Sequence, residues 1–323
     1  MSGEMKAWVL RDWNRLEFCK VPIPTIEPDQ VLLKIESACL CNGSDPGIYH
    51  GHEAYFPPLV FGHEACGIVT EVGAGVTDFH LGDRVSFWCC LGAFAEYQAV
   101  NPKEVAMFRV PENIPTEEAP VLELVIASCR ALMEHPSTPN QKTLLVCGLG
   151  PSGLVLIQYA RCLGYQYIIG WDLYESRRNL ALTLGADQVF DPAGIDSHAL
   201  SQMVLADVSV VMMGDDLLPG EPTGTQVLRA TRPGGLVISY GHPEHGRRFS
   251  PYVFQARDLT MRGPVNNLDI IREKGRFVME QVQKGKIQIS PLITHRLHFS
   301  ALGEAFQKLL QEPASQIKVI FTW

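Results

Sequence analysis

Cys41, His63 and Glu123 offer a thiolate, an imidazole and a carboxylate, the mixed donors of a catalytic zinc site. They stand in Ala38-Cys39-Leu40-Cys41-Asn42-Gly43-Ser44-Asp45, in Phe61-Gly62-His63-Glu64-Ala65 and in Val121-Leu122-Glu123-Leu124. Alone, Cys41 reads as a packed thiol and His63 as a hydrogen-bonded, half-buried imidazole. Glu123 fits a bland reading least well, because a carboxylate in an apolar run is costly to bury without a partner. Three ligands of these types leave a fourth position for a substrate oxygen. Glu64, next to His63, is a further candidate ligand that exchanges with water, or a group that holds the ligands from behind. Cys39 is close enough in sequence to compete with Cys41.

A second set of residues points to a dinucleotide. Gly148-Leu149-Gly150-Pro151-Ser152-Gly153 lies between an apolar run, residues 143–147, and a segment with helical spacing, residues 152–163. That is the context the turn needs. Gly148 permits the tight turn, Gly150 lets a pyrophosphate approach the backbone, and Gly153 lets the helix pack on the sheet. Leu149, Pro151 and Ser152 complete the loop, and free N–H groups of the first helical turn face the phosphates. Asp172 ends the next strand, 19 residues after Gly153. A carboxylate there accepts hydrogen bonds from ribose hydroxyls and repels a 2′-phosphate, so NAD is expected over NADP. Arg177 and Arg178 follow on the next helix, and an arginine there is a way to accommodate a 2′-phosphate.

These residues need two kinds of scaffold. Up to about residue 120 the chain reads as β-rich, with strands at 31–37, 67–72, 84–88 and 94–100 between Gly and Pro turns. From about residue 125 strands alternate with helices. The pattern gives strands at 143–147, 167–170, 188–190, 208–213, 236–240 and 259–262, and helices at 152–163, 175–184 and 226–231. Such alternation implies a parallel sheet covered on both faces. A helix at 301–310 and a strand at 317–321 follow. The expected organisation is a catalytic domain from residues 1–124 and 265–323, interrupted by a cofactor domain at 125–264.

The net charge of −8 and pI near 5.7 argue against a nucleic-acid or anionic-membrane partner, which clustered Lys and Arg would serve. No apolar run is long enough to span a bilayer. The N-terminal residues lack the order of a signal peptide, so a cytoplasmic location is expected. Nine cysteines, an odd number in a chain of 323 residues, read as reduced thiols.

The chain resembles the zinc-containing medium-chain dehydrogenase/reductase superfamily, the alcohol, sorbitol and threonine dehydrogenase group. The likeness runs along essentially the whole chain. It includes Met5-Lys6-Ala7, Gly62-His63-Glu64, Gly82-Asp83-Arg84-Val85, Gly92-Ala93-Phe94-Ala95-Glu96-Tyr97, the glycine turn, Leu184-Gly185-Ala186-Asp187 and Ile317-Lys318-Val319. The resemblance implies an α/β protein: a GroES-like β-rich catalytic domain plus a Rossmann domain, the doubly wound parallel sheet that binds the cofactor. It implies that Cys41 and His63 bind catalytic zinc and that Glu123 is the third ligand, as in the polyol-dehydrogenase branch.

Zinc would then lower the pKa of an alcohol, hydride would pass to NAD, and Ser44, with His50, would carry the proton out. Phe87 or Trp88 would line the pocket. A small alcohol or ketone substrate and a homodimer or homotetramer are expected.

Two departures from the family pattern stand out. The lobe of four cysteines that holds a structural zinc is absent, since only Ser86-Phe87-Trp88-Cys89-Cys90-Leu91 fills its place. One metal per subunit is therefore expected. The spacing from Cys41 to Asp45 is one residue longer than the usual Cys-x-Ser/Thr-Asp, which bears on the relay role of Ser44. Two other readings stay open here: a zinc-free quinone or enoyl reductase of the same superfamily, and a non-catalytic protein that kept the fold.

Overall fold

Short strands before residue 125, and strands alternating with helices after it, fold into separate sheets. The computed structural model describes residues 3–194, 199, 205–214, 220–241, 243 and 246–323. One compact unit comprises Met1–Ala127, Asn267–Gly285 and Ile289–Trp323; the other comprises Ser128–Asn266 and Lys286–Gln288. The short segment Lys286–Gln288 goes with the second unit because Gln158 grips it. Gln158 Oε1 accepts the Gln288 N–H at 2.7 Å, and its amide donates to Gln288 O at 3.2 Å.

The first unit is built on a seven-stranded sheet. Its path runs Ile293–His298, Lys318–Thr322, Val31–Cys39, Glu64–Val72, Arg84–Trp88, Ala106–Arg109, with Tyr97–Val100 paired separately to Val31–Cys39. The first pair is parallel and the others antiparallel. Glu4–Asp12 and Arg15–Pro22 form a hairpin that Leu59–Val60 extends. The core is aromatic: Phe61 meets Phe94 and Phe306 edge-on, with ring centroids 5.8 and 5.6 Å apart.

The second unit holds six parallel strands in the order Gln188–Phe190, Tyr167–Trp171, Thr143–Cys147, Ala206–Val211, Thr231–Ser239, Thr260–Arg262. This is the strand order of the dinucleotide-binding fold, whose ligand crevice lies where the order reverses, beyond Thr143–Cys147 and Ala206–Val211. Val and Ile crowd these strands because both faces are covered.

Some elements depart from the sequence reading. The Rossmann helix Thr223–Ala230 ends where the strand Thr231–Ser239 begins. Pro233-Gly234-Gly235 therefore lies inside a strand, where the register slips between Ala206 and Val208 on its neighbour. Several elements carried no clear signal, among them both strands of the hairpin, the helix Leu268–Gln283 and the strand Ile293–His298. The helix hides because Gly275 sits at its middle. The strand has only Ile293 and Leu297 as apolar residues among Thr, His and Arg, a composition loops share. Among the described residues no helix is long and apolar enough to cross a membrane.

Gly275 explains its own presence. A Cβ there would run into the Phe108 ring and lie 3.2 Å from Ile126 Cδ1. Gly275→Ala gains about 1 kcal/mol of helix propensity. Overpacking costs about 1–3 kcal/mol. We expect a lower melting temperature for Gly275→Ala by thermal unfolding, and an unchanged or higher one would contradict this packing.

Candidate active site

Strand register assembles the candidate metal-ligating residues. Val31–Cys39 pairs with Glu64–Val72 so that Cys39 stands opposite Glu64, and with Lys318–Thr322 so that Cys39 also pairs with Ile320. The chain leaves the first strand through Cys41 into the helix Ser44–His50, and enters the second directly from His63. Cys41, His63 and Glu64 thereby meet: one ligand atom from each lies within 4.8 Å of the others. The turn before His63 depends on Gly62, whose φ is +79° and where a Cβ would overlap the Phe94 ring. The Gly62 carbonyl accepts N–H groups from Gly92 at 2.9 Å and Ala93 at 3.0 Å, which locks that turn.

Two buried charges hold the trio. Asp45, in the first turn of the short helix, is fully buried. Its Oδ2 accepts the Cys41 N–H at 2.8 Å, and its Oδ1 lies 3.2 Å from His63 Nδ1. The carboxylate thus holds one imidazole nitrogen and leaves Nε2 for a metal, an arrangement common behind zinc ligands. Burial lowers the His63 pKa, but Asp45 and then Cys41 outweigh it and the net shift is well upward. The Ser44 N–H donates to Cys41 Sγ at 3.5 Å. Lys318 Nζ lies 2.8 Å from Glu64 Oε1 and 2.5 Å from Oε2, and donates to Leu40 O at 2.6 Å. Both side chains are fully buried. Burial works against the ammonium, yet Cys39 and Glu64 more than reverse that and keep Lys318 charged.

Sulfur, nitrogen and oxygen donors at this spacing fit a zinc ion, whose bonds to such atoms are about 2.0–2.3 Å long, after modest closure. Among the described residues Glu123 lies outside this trio, in which Glu64 offers the oxygen atom. Glu123 begins the helix Leu122–Cys129, just past a turn packed on the strands that carry Cys39 and Glu64, and is 4% exposed. Cys39 is buried against Glu64 and Lys318 and donates to Leu40 O at 3.6 Å; it is not one of the trio. His50 Nδ1 is 2.6 Å from Asn14 Oδ1, on an exposed edge. Phe87 belongs to the aromatic core, and Trp88 is half-buried. Tyr55, 40% exposed, is near enough to Cys89 and His63 for their charges to act on its phenol, although burial is the main cause of its raised pKa.

Asp45 and Lys318 are the supporting residues that the sequence reading passed over. Lys318 had a signal: it is the one cation in the apolar run Lys318–Thr322. Asp45 had none beyond its place near Cys41.

In the second unit the glycine turn is built as a phosphate cradle. Gly148, at φ +98°, would press a Cβ to 2.7 Å from Met213 N, and a Cβ on Gly153 would overlap Gly148 O. A Cβ on Gly150 would meet only Arg177 Nη1, at 4.0 Å, so this face is open. Gly150 begins the helix Pro151–Cys162 with no side chain capping it, as a site for phosphate requires. Asp172 Oδ2 accepts the Leu149 N–H at 2.7 Å and its Oδ1 accepts the Tyr174 N–H at 2.8 Å. Each oxygen keeps a further lone pair. Arg177 Nη1 stands 4.0 Å from Asp172 Oδ2 with its guanidinium over Tyr174. Arg178 is tied to the carbonyls of Asp172 and Leu173 and to Asp191. Open face, uncapped helix and strand-end carboxylate together fit a dinucleotide.

Known proteins agree with this geometry. The model of the alcohol dehydrogenase GroES-like domain matches residues 27–112, and that of the zinc-binding dehydrogenase matches residues 151–268. The L-threonine 3-dehydrogenase of Bacillus licheniformis is 30% identical over 361 aligned positions, covering 99% of this chain and 100% of that one. The sorbitol dehydrogenase of Arabidopsis thaliana is 28% identical, covering 98% of this chain and 94% of its own. In fold, the galactitol-1-phosphate dehydrogenase of Escherichia coli superposes with a TM-score of 0.86 at 23% identity, covering 99% of this chain and 100% of that one.

The Asp45–His63 contact can be tested directly. Asp45→Asn removes the charge that holds the imidazole. Chelator competition should show zinc affinity lower by about 10–100-fold. Wild-type affinity in a folded Asp45→Asn protein would remove Asp45 from the site.

Proposed function

Since the chain belongs to the zinc-binding dehydrogenases, we propose that it oxidises a secondary alcohol of polyol or cyclitol type to the ketone, with NAD as hydride acceptor. The observation that carries this reading is the trio Cys41, His63 and Glu64, held by Asp45 and Lys318. The names of its relatives, which act on threonine and sorbitol, support a hydroxylated substrate over a simple alkanol. A zinc-free reductase would have no use for three converging ligands.

Zinc, when bound, supplies Lewis acidity that makes an alcohol proton easier to lose. Cys41, His63 and Glu64 would hold it, with Glu123 as a further oxygen donor from the same unit. Asp45 fixes the His63 ring. Ser44, beside Cys41, would take the alcohol proton, and His50, held at Nδ1 by Asn14, would release it at the surface. At the glycine turn, Leu149, Gly150, Pro151, Ser152 and Gly153 would present backbone to the pyrophosphate. Asp172 would accept from the ribose while Arg177 lies over the turn. All nine cysteines are free thiols, which supports a reducing, cytoplasmic setting. We propose one zinc per subunit and a homodimer or homotetramer.

A panel of polyols and cyclitols, followed by NADH absorbance, tests the activity. Cys41→Ala should abolish turnover. NAD binding should survive, because Cys41 and the glycine turn lie in different units. Turnover by a zinc-free Cys41→Ala protein would refute the proposal.

Cofactor choice gives a second outcome. Catalytic efficiency should favour NAD over NADP, because the Asp172 carboxylate repels a 2′-phosphate. Asp172→Ala should narrow the ratio. An NADP preference in the wild type would mean that Arg177 governs instead.

A further inference from the structure

Arg247 ties together the ends of two neighbouring strands in the second unit. The parallel pair Ala206–Val211 and Thr231–Ser239 closes with Val211 opposite Ser239. Just past that step Arg247 Nη1 donates to Ser239 Oγ at 2.9 Å and to Tyr240 O at 2.8 Å, while Nη2 donates to Met213 O. One half-buried, permanently charged guanidinium thus holds both chains. Its planar fork spans two strand ends, which the single ammonium of a lysine cannot do. The fit is close: Gly241 has a φ of +85°, and a Cβ there would lie 2.5 Å from Met213 O and 3.2 Å from Arg247 Nη2.

The place gives this clamp a role. In the dinucleotide-binding fold the ligand is shared between two halves of the sheet, across the point where strand order reverses. The glycine turn and Asp172 belong to the half made of Thr143–Cys147, Tyr167–Trp171 and Gln188–Phe190, which takes the adenosine side. The nicotinamide side falls to the half whose strands Arg247 joins. Met213 is the seam between them, with Sδ 3.9 Å from Cys147 Sγ and its backbone N beside Gly148. We infer that Arg247 is a positioning residue for the nicotinamide half of the cofactor. By holding the Met213 and Tyr240 carbonyls it keeps the two strand ends in one arrangement before the cofactor arrives. Such pre-organisation contributes affinity, since less order is lost on binding. This inference rests on the NAD reading of the second unit given above.

Titration calorimetry of the full-length protein tests it, with NAD and with ADP-ribose, which lacks only the nicotinamide ring. Wild type, Arg247→Met and Arg247→Lys are compared. Arg247→Met should bind NAD about tenfold more weakly, the scale of one lost hydrogen bond to a charged group. Its affinity for ADP-ribose should stay near wild type, because the glycine turn and Asp172 are untouched. Arg247→Lys keeps the charge but cannot hold both strand ends, so it too should lose affinity for NAD and not for ADP-ribose. At saturating NAD, hydride transfer in Arg247→Met should also be slower, since a misplaced ring reacts poorly. Should Arg247→Met fail to fold, Arg247→Lys carries the same comparison. Unchanged NAD affinity in a folded variant overturns the inference. So does an equal loss for NAD and ADP-ribose, which marks a general structural role, or wild-type NAD affinity in Arg247→Lys. A wild-type protein that binds neither NAD nor ADP-ribose would instead defeat the cofactor reading, and this inference with it.

Discussion

The pairing of Cys39 with Glu64 across two antiparallel strands is the constraint on which the site depends. Strand side chains alternate, so one step of slippage would send Glu64 to the opposite face and away from Lys318. The register is defended from both sides. Ile320 pairs with Cys39 on the other edge, and the Leu40 N–H reaches Val319 O at 3.2 Å. Once Cys39 and Glu64 face each other, His63 and Cys41 lie just beyond the paired ends. The turn at Gly62 and the short helix at Ser44 then need only bring these two the remaining distance.

Charge balance is the second requirement. Asp45, Glu64 and Lys318 are fully buried, and a lone buried charge is far more costly than a paired one. Glu64 and Lys318 compensate each other, while Asp45 is spread over the Cys41 N–H and the His63 ring. Such groups contribute little net stability compared with an apolar core. They are explained by what they hold in place: Asp45 holds Cys41 and His63, and Lys318 holds Glu64.

Much of this was legible in the residues. The Rossmann strands could be read because parallel strands buried on both faces are dense in Val, Ile and Leu, and because Gly148, Gly150 and Gly153 have a backbone reason at each position. Cys41 and His63 could be read from their chemistry. That Glu64 clusters with Cys41 and His63 could not be read from spacing, because it depends on register, and register is a property of strands brought together from distant segments. Lys318 lies 254 residues from Glu64, so nothing local announces the pair. The helix Leu268–Gln283 was illegible for another reason: its Gly275 answers to the Phe108 ring and not to helix propensity.

The central claim is that Cys41, His63 and Glu64 form one metal site with a single sulfur ligand. X-ray absorption at the zinc edge of the purified protein tests this most directly. The account predicts one sulfur at about 2.3 Å together with nitrogen and oxygen at about 2.0–2.2 Å, and loss of that sulfur in Cys41→Ser. Two or more sulfur scatterers, or a sulfur shell that survives Cys41→Ser, would contradict it.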